Sequence, residues 1–584
     1  MAGKTLDLNT LLEPDVLGSS IANTYQEWEM KRASQVAAWE ERQRYLFSLD
    51  TTTTSNAKLP WKNKTVTPKL TQIRDNLFAN YTASIFPKRK WLYWEAFDKN
   101  SGAPQKRDAV KAYMSNIIEQ PMFKDRIRKL ILDYIDYGNA IAGLEWVDLR
   151  QAKDGYKSGY VGPMVVRLSP LDVVFNPTAP DFEQAPKIVR SLLTLGELKR
   201  DLNKLSTPDY DAEAIFNYCM KIRMQVYQHT GTWNTKNVLY SVAGFDDYVG
   251  YLKSNYIEVL TAYGDFYDVQ NDKFYHNAVI TIVDRHKVIS VKTDESLIQG
   301  TSLYHCGWRI RQDNLWAMGP LDNLVGMQYR IDHFENLKAD ILDLIVGAPI
   351  KVKGLVEDFE WGPFARIHVD NDGDVEVLSP DSHALQANSE LMYYMQMMEE
   401  MAGSPKEAAG FRTPGEKTAY EVQRLENAAS RIFYSKIIQF EEFLERLLNG
   451  MLDMARRKID KDILVRTLDD EMNVEMFFQV TPEDLSANGR LKPVAARNFA
   501  ERAEKVQNLT NLYASAVGAD QDIRAHFSSI KLAKMLEDML DLQDYELVTP
   551  YIRLSEQQDA QQLANAGQEQ TAGAAAVPGN PLLG

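Results

Sequence analysis

Residues 319–458 constrain the fold more than any other part of the chain: two apolar-faced helices bracket a short acidic β-segment, and one very long helix follows. Over Gly319–Ile345, Leu321, Leu324, Ile331, Phe334, Leu337, Ile341 and Ile345 recur at helical spacing, which predicts one helix with a broad apolar face. At 1.5 Å per residue such a helix is roughly 40 Å long. Gly347-Ala348-Pro349 ends it. Residues 350–378 then alternate in β fashion (Ile350-Lys351-Val352-Lys353 and Val375-Glu376-Val377-Leu378) around the turn sequence Asn371-Asp372-Gly373-Asp374. A second helix is predicted over about 383–402, with Leu385, Met392, Met395 and Met398 on one face and Gly403 at its end. Gly403–Gly415 reads as a flexible loop carrying Lys406 and Arg412. Thr413, Pro414 and Glu416 supply an N-cap, a first-turn proline and a capping-box partner for a helix reaching Lys458.

The chain as a whole reads as α+β, predominantly helical. Helices are predicted over 19–49, 67–85 and 104–142. From Gly143 to about Val291 the pattern turns to short β-runs divided by Gly, Pro, Asp and Asn. These are Val161–Leu168, Leu171–Phe175, Tyr256–Tyr263 and a hairpin of Val279–Val283 with Val288–Val291. Helices near Leu195–Leu205 and 211–222 interrupt them, the first opened by a Thr194/Glu197 capping box. After a β-like stretch at Met472–Val480, helices are expected over about 493–516, 520–540 and 550–566. The Gln-, Ala-, Gly- and Pro-rich tail 567–584 cannot bury a core and is expected to be disordered.

A chain of 584 residues can hold several domains. Its 66 basic and 81 acidic residues leave a net charge of −15, which argues against wrapping nucleic acid by phosphate neutralisation. It leaves room for a surface that DNA slides past. Cys219 and Cys306 form no metal pair or redox motif and read as reduced thiols. Neither an apolar signal-peptide region nor a run approaching ~20 apolar residues is present, so no signal peptide and no membrane span are expected.

No constellation of catalytic residues stands out. Gly3-Lys4-Thr5 lacks the strand and glycine that precede a phosphate loop, and no nucleophile elbow or zinc-protease motif occurs. Asp370, Asp372 and Asp374 surround Gly373 as in a calcium loop, but Asp381 stands where that template requires glutamate, so an acidic turn is the better reading. Lys88-Arg89-Lys90-Trp91-Leu92-Tyr93-Trp94 could stack on nucleic acid; a basic loop entering a strand with buried aromatics accounts for it better. Met392, Met395, Met397, Met398 and Met401 could form an adaptable partner surface, although methionines at such spacing more often pack internally.

Local wording adds a resemblance. Tyr304-His305-Cys306-Gly307-Trp308-Arg309 leads through Trp316-Ala317-Met318-Gly319-Pro320 to Gln328, Asn336 and Asp340. Two further segments are Ser169-Pro170-Leu171-Asp172-Val173-Val174-Phe175-Asn176-Pro177 and Gly410-Phe411-Arg412-Thr413-Pro414-Gly415-Glu416-Lys417-Thr418-Ala419. In this order, and with the helix, β-module, helix, loop and long helix, they resemble the portal (head-to-tail connector) proteins of tailed bacteriophages, short-tailed type, over roughly residues 20–500. The resemblance implies a portal fold of wing, stem, clip and crown. The wing would take 1–318, the first stem helix 319–345, the clip 346–380 and the second stem helix 381–402. The tunnel loop would take 403–415, the long wing helix and its following strand 416–480, the crown 481–566 and the disordered tail 567–584.

It further implies a homo-oligomeric, dodecameric ring at one capsid vertex of the virion, assembled in the host cytoplasm. Its partners would be the major capsid protein, terminase, tail adaptor and double-stranded DNA passing through the channel, with no membrane partner. The chain would be no enzyme and carry no cofactor or metal, because ATP hydrolysis belongs to the terminase. Another virion structural protein or an internal ejection protein is the alternative, and the β-rich residues 143–291 weigh against it.

Charge counts turn the resemblance into a mechanism. Residues 319–345 hold Asp322, Asp332, Glu335, Asp340 and Asp343 against Arg330 and Lys338, a net −3. Residues 346–383 hold three bases against eight acids, a net −5, with Glu357, Asp358, Glu360, Asp370, Asp372 and Asp374 expected on the partner-facing surface of the clip. Residues 403–417 carry Lys406, Arg412 and Lys417 against two acids, a net +1. An acidic wall repels phosphate, whereas a basic ring touches the duplex backbone transiently. The stem acids are therefore expected to line the passage, and the three loop cations to meet DNA.

Overall fold

The computed structural model describes residues 14–47, 63, 65–86, 91–101, 103–148, 151–153, 156–158, 160–183, 185–194, 196–199, 256–268, 272–283, 285, 287–293, 302–346, 350–353, 374–377, 388–402, 419–459, 463–469 and 474–493. The helix expected near 211–222, most of the tunnel-loop and clip residues, the three helices after 493 and the tail lie outside them. The chain divides into two units. The first comprises Met1–Thr467 and Phe477–Val494. The second comprises Leu468–Met476 and Ala495–Gly584, of which only strand ends fall within the described residues.

Helices α1 (Pro14–Lys31) and α2 (Ala33–Phe47) take the place of the single helix expected over 19–49. They part at Arg32, whose buried guanidinium donates to the carbonyls of Pro170 (2.5 Å), Leu171 (2.6 Å) and Val173 (2.7 Å). A buried charge has to be paired, and this turn supplies the carbonyls. Helices α3 (Lys69–Ile85), α4 (Pro104–Ile118) and α5 (Pro121–Asp136) follow, with β1 (Leu92–Ala96) between the first two. The long helix expected over 104–142 is thus two helices and the start of a strand. Pro121 opens α5, because the N–H it lacks is one that a helix start leaves unpaired anyway. Gly138, at φ +70°, ends it.

The strands are β2 (Asn139–Asp148), β3 (Gln151–Lys153), β4 (Tyr156–Ser158), β5 (Val161–Leu168), β6 (Val173–Phe175), β7 (Lys187–Thr194), β8 (Tyr256–Asp268), β9 (Lys273–Val283) and β10 (Lys287–Thr293). After them come β11 (Leu303–Gly307), β12 (Arg309–Arg311) and β13 (Asn314–Met318). An antiparallel five-stranded sheet runs β10-β9-β8-β7-β6, and an antiparallel three-stranded sheet runs β11-β2-β5. The expected hairpin is therefore present and longer than its apolar core suggests. At its turn Arg285 adopts a left-handed conformation (φ +59°), held by two hydrogen bonds to Glu258 at 2.9 and 3.1 Å. The Thr194/Glu197 capping box also forms: Glu197 N–H donates to the Thr194 hydroxyl (3.2 Å) and Thr194 N–H to the Glu197 carboxylate (2.9 Å).

The second half of the chain supplies α6 (Val325–Val346), β14 (Ile350–Lys353), β15 (Asp374–Val377), α7 (Asn388–Ala402) and α8 (Ala419–Lys458). It ends on β16 (Ile463–Asp469), β17 (Val474–Val480), α9 (Pro482–Leu485) and β18 (Gly489–Pro493), which pairs antiparallel with β1. Trp91 and Trp94 are buried, as expected of that strand, whereas Tyr93 is exposed. The main core gathers α3, α4, α5, β2 and β11 around α8, whose Ile437, Phe440, Leu444, Leu447, Met451 and Ala455 form a buried stripe. A second core seats α1 on the five-stranded sheet, and a third joins the two sheets through Trp39, Phe175 and Trp316.

Helix α6 starts later than expected, since residues 320–324 are turns and the Gly319 N–H is held by Asp322 Oδ2 at 2.6 Å. Gly319 backbone lies directly against Gly138, where any Cβ would meet main chain. Gly138 combines this contact with a positive φ. Gly138→Ala is expected to lower stability by about 3 kcal/mol in urea unfolding. Gly196→Ala, a site with open space around its Cβ, should change it by less than about 1 kcal/mol.

Candidate assembly surface

The helix pair α6 and α7 is tied together by the segment that leads into α3. On α6, Gln328, Asp332, Asn336 and Asp340 recur at every fourth position. Along the segment, the backbone N–H groups of Leu70, Thr67, Thr65 and Asn63 donate to them in that order, at 3.0, 2.8, 2.7 and 2.9 Å. From Asn63 through Thr65 to Thr67 the spacings match for a physical reason, and Leu70 follows from the first turn of α3. Four residues advance an α-helix by about 6 Å, and two residues advance an extended chain by about 6.6 Å. The amides also answer in reverse: Gln328 Nε2 donates to Thr67 O (2.6 Å) and Asn336 Nδ2 to Thr65 O (3.0 Å). Lys69, at the start of α3, then forms a buried ion pair with Glu399 of α7. One strap thus reaches both helices.

This strap revises the charge count expected for residues 319–345. Asp332 is buried inside it and accepts from Thr67 N–H and Gln328 Nε2, while its Oδ2 finds no partner among the described residues. Burial pushes its carboxyl up to about 7, and neighbouring Glu335 adds to the rise. Asp340 and Asp343 both accept from the Asn63 side-chain amide, at 2.7 and 3.0 Å. Asp322 pairs with buried Arg42. Of the five acids expected to line a passage, four are therefore engaged within the chain, and Glu335 is half-buried. Gln328, Asn336 and Asp340 are also the residues that carried part of the family resemblance. Their fourfold spacing on an apolar helix was the available signal for the strap, and periodicity read only for apolar positions passes over it.

In the segment expected to form a clip, β14 and β15 pair antiparallel with Ile350 opposite Val377 and Lys353 opposite Asp374. Lys351 and Glu376 form an exposed cross-strand ion pair at 3.0 Å. Glu357, Asp358, Glu360, Asp370 and Asp372 lie outside the described residues, as do Lys406, Arg412 and Lys417.

Helix α7 carries large apolar side chains on its buried face and also among the polar residues Glu390, Gln396 and Glu400 of its exposed face. Met398 and Ala402 are buried toward the core, and Tyr394 meets Phe334 of α6 at 6.1 Å between ring centroids. Met392 is nevertheless 70% exposed, Tyr393 57% and Met401 41%, and Leu342 and Ile345 of α6 are exposed as well. Exposed apolar side chains that cluster mark a candidate surface for a partner.

Elsewhere, burial also shifts His305 and Cys306. His305 is pulled down to about 3 by burial, helped by Arg446 and Lys187, so its ring is neutral. It faces Asn139 Oδ1 at 3.0 Å. Burial pushes the Cys306 thiol up to about 12, far from a nucleophilic thiolate. Among the described residues no group of three His, Cys, Asp or Glu side chains is placed to hold a metal ion. No helix of the described residues is long and apolar enough to cross a membrane. Compared with protein families and with curated proteins, the chain matches no family model and no curated sequence.

Asp332 gives the strap a pH dependence of definite sign. Its folded-state carboxyl titrates near 7, against about 3.9 for an unperturbed aspartate. The native state therefore holds the proton more tightly, and this group's contribution to stability is lost as pH rises from about 4 to about 7. Asp332→Asn keeps the acceptor for Thr67 and should flatten that part of the stability–pH curve in urea titrations. Identical slopes for both proteins would show that Asp332 does not titrate there.

Proposed function

We propose that this chain is the portal (head-to-tail connector) protein of a tailed bacteriophage. It assembles into a homo-oligomeric ring at one capsid vertex, through which double-stranded DNA enters and leaves. The observation that supports the reading is α7: a helix with one side built into the subunit core, whose other side exposes Met392, Tyr393 and Met401 among Glu390, Gln396 and Glu400. A second copy set beside the first would cover those side chains, and rotation from copy to copy closes into a ring. The strap serves the same end, because ring contacts need a helix pair held in one orientation before assembly. The paired strands β14 and β15, between the two helices in sequence, suit a terminal module that meets the packaging motor and later the tail adaptor. The major capsid protein would meet the periphery.

In this reading the conduit itself performs no chemistry. DNA passes because the clip and outer stem surface hold phosphate off, while Lys406, Arg412 and Lys417 touch the backbone and release it. The wall charge comes from the clip acids and Glu335 rather than from the whole stem count, since Asp322, Asp332 and Asp340 are turned to internal use.

Electron microscopy of the purified full-length protein tests the ring. A symmetric ring with a central hole is expected; a monodisperse monomer by sedimentation at micromolar concentration would overturn it, and a filament would favour a different virion structural protein. Met392→Glu combined with Tyr393→Glu should abolish association while leaving the circular dichroism spectrum of the subunit unchanged. Replacing Lys406, Arg412 and Lys417 together by glutamine should reduce the DNA retained in filled heads by at least about twofold, measured by nuclease protection. Normal packaging and retention would remove these cations from the mechanism.

A further inference from the structure

A cavity of about 390 Å³ lies between α1–α2 and the β12–β13 hairpin, walled by Trp28, Trp39 and Trp316 with Gln35, Arg42 and Arg311 among the polar side chains. Some of this wall is internally complete. Arg311 donates to Trp316 O through Nε (2.9 Å) and Nη2 (2.6 Å), and to Gln35 Oε1 at 3.2 Å. Gln35 Nε2 in turn donates to Ala317 O at 3.2 Å. These two side chains hold each other in place.

Arg42 is different. It is only 1% exposed, and its Nη1 meets the Asp322 carboxylate, whose other oxygen is taken by Gly319 N–H. Its Nε and Nη2 find no acceptor among the described residues. The indole N–H of Trp39, also 1% exposed, has none either, nor has Arg32 Nε on the same wall. Every orphan on these three lining residues is a donor. Buried polar groups are almost always paired, so the unpaired donors of Arg42 and Trp39 call for an acceptor. Three guanidiniums (Arg32, Arg42, Arg311) stand against two carboxylates (Glu41, Asp322), a local excess of positive charge in an acidic chain. Burial pulls the Arg42 guanidinium down to about 10, against the opposing pull of the Asp136 carboxylate. Val325, the first residue of α6, also lines the cavity, and a helix start favours an anion nearby.

We propose that this cavity is a binding site for a small oxyanion, a carboxylate or a phosphate, seated on the Nε–Nη2 edge of Arg42 and the indole N–H of Trp39. The planar edge of a guanidinium presents two parallel N–H donors that match two oxygens of either group. The tryptophan rings leave space for an apolar body attached to it. The oxyanion is either free in solution or the side chain of an acidic residue on a second copy of this chain.

Calorimetric titration of the full-length protein with inorganic phosphate, and separately with sodium acetate, at constant ionic strength tests the site. Saturable binding of at least one probe is expected. Arg42→Met should weaken it by at least about tenfold, and Trp39→Phe, which keeps the ring and removes only the N–H, by about threefold. Should Arg42→Met fail to fold, Trp39→Phe decides alone. Binding that does not saturate, or that is equal in wild type and Trp39→Phe, overturns the proposal. Running the titration on dispersed and on associated protein separates the sources. Equal binding in both identifies a free oxyanion, and loss of binding on association identifies an acidic side chain of the neighbouring copy as the occupant.

Discussion

Helix α6 is held in place by peptide groups rather than by side-chain packing alone. Four side chains at every fourth position of the helix receive four N–H groups from a segment far away in sequence. Each such bond adds only about 0.5–1.5 kcal/mol net. The asymmetry matters more, because a slip by one residue would strand several donors and a buried carboxylate without partners, each at a larger penalty. The ladder therefore fixes register rather than adding bulk stability. Lys69 and Glu399 extend the same fixation to α7, so the orientation of both helices is set before any partner arrives.

The same use of charge recurs at several junctions between elements of the first unit. Arg74 binds Asp136 through two hydrogen bonds at 2.6 and 2.8 Å, and Arg167 binds Asp133 through two at 2.6 Å. Arg32 closes on three carbonyls at the α1–α2 break. Buried pairs of this kind contribute little net stability compared with apolar replacements, yet breaking one is strongly destabilising. What they secure is a particular arrangement of helices on sheets. A net charge of −15 is consequently a poor guide to the field outside the molecule, since many of the acids counted in it are neutralised within.

Much of the fold was legible in the sequence where periodicity was strong. The β8–β9–β10 region, the helix–β–helix order and the long α8 all follow from apolar spacing, and Thr194 with Glu197 announced its capping box. The misses share a cause. The helix expected across 19–49 breaks at Arg32 because carbonyls beyond residue 169 draw that guanidinium inward, a long-range demand no local pattern records. Residues 139–142 carry an apolar pattern that fits helix or strand equally, and pairing with β5 and β11 decides for strand. Asp332 and Asp340 looked like exposed acids because charge counting assumes solvation. Their partners, backbone N–H groups near residue 65, leave no trace in composition at all.

The strap and the exposed face of α7 bear on one another. An apolar helix face left to move freely would be free to pair in many orientations, and non-closing contacts grow into filaments rather than rings. Fixing α6 and α7 through hydrogen bonds, whose geometry is directional, limits the angles at which Met392 and Tyr393 can be covered by a neighbour. In the proposed ring, apolar burial would supply the drive to associate, and the polar ladder would select the rotation between copies. In the portal reading this division explains why polar residues at every fourth position are tolerated on a helix that could have been wholly apolar. A more hydrophobic α6 could bind its neighbours as strongly, but it would lack the directional contacts that let the ring close.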